Sequence, residues 1–202
     1  RVEIRRYGGT RTWSGAPGEQ CLACTGEPGG LWRDRGRAPQ KTVGVGFTGQ
    51  GFDRGTAYRR TAASHDPNWA WIFAGIDGDV VGAGPSLVLN HGAAGFEVDK
   101  ADPALGTPAH AVVLASSLPL SDAYQFVVEE TKSLDGHGGG RDQPRLGADL
   151  LFLEYPNGGA VFSTGSINWA ATLSADGYGS DTSTITRNVI DAFLGDDWQQ
   201  PR

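Results

Sequence analysis

TGEPGGLWRDRGRAPQKTVGVGFTGQGFD (25–53) decides how the rest of the chain is read. Glycine and proline recur throughout it, and in a helix interior they cost roughly 1 and 3 kcal/mol each. A helix across this stretch is therefore disfavoured. Leu31, Trp32, Val43, Val45, Phe47 and Phe52 are too apolar for a solvated linker. What remains is an ordered loop that feeds a strand at TVGVGF (42–47). Glycines at alternate strand positions leave one face without side chains, open to a ligand or to close backbone packing. On the residues alone, the same glycines equally serve the geometry of a tight turn.

Outward from this stretch, the composition supports a strand-rich chain. Glycine accounts for 31 of 202 residues, about twice the usual share of ~7%. The length suits one domain over residues 1–202, or a large part of one. A net charge of −6 gives no reason to expect a nucleic-acid partner. No apolar run approaches the ~18 residues of a membrane span, so no membrane partner is expected. Methionine is absent, and the chain reads as a piece of a longer polypeptide. Cys21 and Cys24 form a C-x-x-C without a second ligand pair for zinc. They read as two small thiols in a reducing cytoplasm, with a redox pair as the alternative.

Along the chain, VEIRRY (2–7) alternates as a strand does, and TRTW (10–13) is a return strand. Residues 53–68 are polar and read as an exposed loop or short helix. WAWIF (69–73) is aromatic and β-branched, which predicts a strand. SLVLN (86–90) and GFEVD (95–99) read as a strand pair. HAVVLASS (110–117) and AYQFVVEE (123–130) are further strands. Residues 131–148, rich in glycine and charge, read as a mobile surface loop. DLLFLEY (149–155) is a buried strand, and AVFSTGS (160–166) pairs back onto it across Pro156-Asn157-Gly158-Gly159. The one clear helix closes the chain. Asp181 or Ser183 caps it, Ile185, Val189, Ile190 and Phe193 form its apolar stripe, and Gly195 ends it. The fold class is mixed α/β, rich in strand.

Four stretches together resemble the C-terminal part of the large subunit of the N,N-dimethylformamidase family: TGEPGGLWRDRGRAPQKTVGVGFTGQGFDRG (25–55), ADPALGTPAHAVVLASS (101–117), LEYPNGGAVFSTGSINWAATL (153–173) and TITRNVIDAFL (184–194). They stand in the family's order across nearly the whole chain. The resemblance implies a class I amidotransferase-like α/β domain, of which this chain is the latter part. It also implies an iron-dependent amidohydrolase that splits a small formamide into formate and an amine. Its Fe3+ is held by two tyrosinates and one glutamate, and hard cations favour such anionic oxygens. By motif position Glu27 is the glutamate ligand. The tyrosines are expected upstream of Arg1, so the upstream polypeptide is a partner and the isolated chain is expected to be inert. A small subunit and a homo-oligomer are further expected partners.

Three more residues complete the candidate site. Glu154 ends an apolar strand, where an apolar neighbourhood would raise its pKa and suit it to proton transfer. The resemblance places a general acid/base there, while the residues alone also allow a strand-edge glutamate in an ion pair. Asp53, with Arg59 and Arg60, is a candidate for orienting the site or for structural ion pairs. Asn168 is a candidate pocket residue or a helix cap beside a core tryptophan. The histidines at 65, 91, 110 and 137 show no ligand spacing. A different class of function, a non-catalytic binding or scaffold domain that keeps the fold, stays open beside the enzyme.

Overall fold

The computed structural model describes residues 36–127 and 134–195, with the side chains of 134–139 excepted. Cys21, Cys24, Glu27, the strands expected at 2–13 and the C-terminal tail lie outside the described residues. Among the described residues, eleven strands and two α-helices, joined by short 3-10 turns, are mixed α/β with strand predominating.

The buried strand expected at 149–155 organises the described part. β10 (Asp149–Glu154) is buried at every position except its last. Successive side chains leave a strand on opposite faces, and both faces are covered here. Leu150 and Phe152 enter a core with Tyr58, Leu114, Trp169 and Ile185. Leu151 and Leu153 enter a second cluster with Val45. This double burial is why DLLFL is a continuous apolar run rather than an alternating one. Each such side chain contributes about 1.5–3 kcal/mol of transfer free energy.

β10 is flanked by β11 (Ala160–Ser163) and β7 (Val112–Ser117), and the sheet continues through β2 (Tyr58–Arg60) to β3 (Val80–Val81). The hairpin expected across Pro156–Gly159 forms, with Glu154 opposite Ala160. A four-stranded sheet runs β6 (Glu97–Lys100), β1 (Gly46–Gln50), β8 (Gln125–Val127) and β9 (Leu134–Gly139). A small hairpin pairs β4 (Pro85–Ser86) with β5 (Asn90–His91). Every pairing among these strands is antiparallel.

Several local expectations are corrected. The strand expected at 69–73 is a 3-10 turn, Ala70–Phe73. Asp66 decides this: its carboxylate accepts from the Asn68 N–H at 2.9 Å, and its carbonyl from Trp69 and Ala70. The chain is thus already turning when the aromatic run begins. Trp69 and Trp71 still reach the core, with ring centroids 5.2 and 5.8 Å from Phe152. The polar stretch 53–68 contains β2, an interior strand. Its Tyr58 is fully buried and donates to the Thr164 carbonyl at 2.8 Å.

The strand expected at 42–47 begins later, because α1 (Gln40–Val43) precedes it and ends at Gly44. Gly44 has φ +79°, and a Cβ there would lie 2.4 Å from Leu151. Strands 86–90 and 95–99 do not pair with each other: the first is the tip of a hairpin, and β6 pairs with β1. Within 131–148, β9 is a strand paired with β8, and Leu146 is buried.

The closing helix α2 (Asp181–Leu194) stands where expected, but its cap is Ser180, whose hydroxyl accepts from the Ser183 N–H. Ile185 and Val189 are buried, whereas Ile190 is half exposed, so the apolar stripe is narrower than expected. Asn188 ties α2 to the 3-10 turn by donating to the carbonyls of Ile72 and Ala74 at 3.0 Å each.

Candidate functional site

The GFDRG segment (51–55) borders the larger of the two described cavities. It follows β1 and lies flush against residues 91–95. Thr56 and Ala94 exchange backbone hydrogen bonds at 2.8 and 2.9 Å. A Cβ on Gly55 would fall within 2.8 Å of the carbonyls of His91, Gly92 and Ala94, so this contact requires glycine. Beside it opens a cavity of about 430 Å3, whose lining includes Arg54, His91, Leu118, Leu120, Ser121 and Arg141. Two arginines and a histidine among apolar lining residues suit an anionic or carbonyl oxygen.

Asp53 stands next to this cavity with an exposed side chain. The nearby Ser121 hydroxyl, then the Arg54 backbone N–H and guanidinium, hold its carboxyl below the ordinary value. Ser121 Oγ itself is buried and closes no hydrogen bond of full geometry. Asp53 is therefore an ionised acceptor at neutral pH, suited to orienting a cation or an N–H rather than to donating a proton. Arg59 and Arg60 do not join it. Arg60 donates to Ser64 and sits 4.3 Å over the Phe73 ring.

Asn168 is fully buried and lines neither described cavity. Its amide donates to the Gly92 carbonyl, and its Oδ1 accepts from the Ser86 hydroxyl at 2.8 Å. Ser166 caps the 3-10 helix Ile167–Thr172 by accepting from the Asn168 N–H, and its hydroxyl also bonds both backbone groups of Gly95. Asn168 and Ser166 thus latch residues 92–95, against which Gly55 packs. Trp169 is the core tryptophan, and its indole N–H donates to Thr186 at 3.0 Å.

Glu154 lies elsewhere. Ser116 faces Asp149 at one end of β10, and Leu118 bonds Ala57 just beyond. Glu154 is five residues further along, roughly 17 Å at about 3.4 Å per residue. Its side chain is exposed, so the apolar surroundings expected for it are absent among the described residues. The apolar burial instead surrounds Asp149, 2% exposed, which sequence reasoning passed over. Burial pushes the Asp149 carboxyl above its ordinary value, against the Ser116 hydroxyl, the Ala101 N–H and the Lys100 charge. Its acid character alone could have flagged it, since it opens the same apolar run that Glu154 closes.

Among the described residues no three His, Cys, Asp or Glu side chains converge as a metal site. These residues do not by themselves fit an iron ion. His110 is exposed, and His65 lies 3.3 Å from Asp79. No described helix is long and apolar enough to cross a membrane.

Residues 2–182 match the family described as N,N-dimethylformamidase beta subunit-like, C-terminal. The chain belongs to this family. It is 38% identical over 197 residues to the N,N-dimethylformamidase beta subunit of Paracoccus aminophilus, and 36% identical over 197 residues to that of an Alcaligenes species. Both alignments cover 97% of this chain and 26% of the relative. This dimethylformamidase-like chain therefore spans about a quarter of the length of the relatives it matches.

Proposed function

We propose that this chain is the C-terminal part of an amidohydrolase that cleaves N,N-dimethylformamide or a similar small formamide to formate and an amine. The observation that carries this reading is the 38% identity over 197 residues to a dimethylformamidase beta subunit. Water adds to the formyl carbon, the C–N bond breaks, and a proton reaches the leaving nitrogen. Glu154 is proposed to move that proton. Because it is exposed at a strand end, polypeptide from outside the described residues must close over it. Asp53, held in the GFDRG segment, is proposed to orient a separate part of the site near the other end of β10, with Asn168 acting on it only through residues 92–95.

Iron is proposed for the parent polypeptide, with Glu27 as one oxygen ligand and the remaining donors outside this chain. The relatives are beta subunits, which supports a small subunit as a further partner. The amidotransferase-like class is proposed for the parent domain as a whole. The described strands are all antiparallel, so a parallel sheet of that class would need strands from elsewhere in the polypeptide.

The test is made on the full-length protein with dimethylformamide, measuring formate release and bound iron. Turnover with iron that Glu27→Gln removes supports the reading. A pure, folded full-length protein without iron or turnover overturns it in favour of a scaffold domain.

A further inference from the structure

Gly51-Phe52 and Gly95-Phe96 pack over one buried tyrosine, Tyr124. A Cβ on Gly51 would lie 2.7 Å from the Tyr124 ring, and one on Gly95 would lie 2.7 Å from its hydroxyl. The Phe96 N–H donates to that hydroxyl at 3.1 Å, and the Phe96 carbonyl accepts from the Gly51 N–H at 2.9 Å. These bonds hold Phe96 at φ +69°. Bulky residues rarely adopt this left-handed backbone, and keep it only where the surroundings impose it. The two phenyl rings meet edge to face, with centroids 4.9 Å apart. Phe52 is nevertheless 76% exposed.

Further exposed apolar side chains lie close by in the fold. Ser166 bonds both backbone groups of Gly95, and its neighbour Ile167 is half exposed. Asn168 accepts from Ser86 at 2.8 Å, and the next two residues after Ser86, Leu87 and Val88, are 80% and 57% exposed. Apolar groups held in fixed positions and left to water mark interaction surfaces. The chain covers only 26% of each relative it matches, so a parent polypeptide of that length has ample chain to supply the cover. A stable complex between separate molecules needs ~800 Å2 on each partner, more than these few side chains offer. A segment tethered in the same polypeptide needs far less, because the tether supplies the effective concentration.

We propose that an apolar stretch of the parent polypeptide, outside these 202 residues, docks on the Phe52–Phe96 pair, with Leu87 and Val88 at the edge of the contact. The proposal rests on the chain being part of a longer polypeptide and stands independently of the amidohydrolase reading. The full-length Phe52→p-benzoylphenylalanine variant is irradiated as a mixture of isotope-labelled and unlabelled copies, and the crosslinked peptides are mapped by mass spectrometry. A crosslink within one copy, to an apolar side chain outside the 202 residues, is expected. Capture confined to these residues, capture between copies or of another protein, or no capture overturns the proposal. Leu87→Asp in the full-length protein is the second measurement. On a free surface this substitution changes nothing, whereas under a docked segment residues 86–91 should exchange amide protons at least about tenfold faster than in wild type. Unchanged exchange contradicts the proposal. The crosslinking variant replaces one aromatic side chain with another, so it tests the idea even if Leu87→Asp fails to fold. Formate release by the same protein is measured separately, so failure here leaves that result standing.

Discussion

The two ends of β10 carry the same chemistry and meet opposite fates. Asp149 opens the strand, buried, with its carboxylate accepting from Ser116 Oγ at 2.6 Å and from the Ala101 N–H at 3.0 Å. Glu154 closes it, exposed, opposite Ala160 at a hairpin turn. The run between them is apolar at both flanks. What differs is what packs over each end: Ala101, following β6, crosses the Asp149 end, while the Glu154 end faces solvent among the described residues. A carboxylate beside an apolar run is thus not thereby in an apolar site, and chain that is distant in sequence decides which acid is desolvated.

The comparison is broken most forcefully at Asp149. Asp149→Ala leaves the Ala101 N–H and the Ser116 hydroxyl without their acceptor, and a loss of about 3 kcal/mol is expected in chemical denaturation. A loss below 1 kcal/mol would show that the two sheets are not joined there. Next comes Asn168→Ala, which removes the bonds to Gly92 and Ser86 and should cost about 2 kcal/mol. It should also loosen the 91–95 segment against Gly55, read as faster amide exchange there.

Asp149→Asn sharpens the contrast through pH. Burial raises the folded-state pKa of Asp149 above its unfolded value. Its contribution is therefore fully present below the unfolded pKa, and is lost as pH rises through the folded one. The wild-type stability profile should carry this downward component above about pH 4, and Asp149→Asn should flatten it at a cost of about 1 kcal/mol. An unchanged slope contradicts the assignment. The smallest effect belongs to Glu154→Gln, expected within about 0.5 kcal/mol of wild type.

Much of the fold was legible because some segments carry their own instructions. DLLFL is apolar at every position, and Asn157-Gly158 turns it back, so the hairpin follows from local chemistry. α2 announces itself through Ile185 and Val189 one turn apart and Gly195 beyond. Ser180 replaced Asp181 as the cap because Asp181 is spent on the Gly82 N–H at 2.8 Å, a contact 99 positions away. The aromatic run 69–73 misled because strand propensity is a packing preference, and an Asx turn at Asp66 overrode it. β2 escaped notice because three residues, two of them arginines, give too short a period to see. Within the candidate site, Asp53 and Asn168 were legible as one neighbourhood only once Gly55 and Gly92 were seen in contact. Nothing in the sequence separates Glu154 from Asp149 as the desolvated acid.

The most direct test of the account is formate release from N,N-dimethylformamide by the full-length protein and its Glu154→Gln variant, with thermal midpoints measured on both. The account predicts turnover by the wild type and a fall in kcat of about 100-fold or more in the variant, at an unchanged midpoint. A variant that turns over as fast as wild type would contradict it.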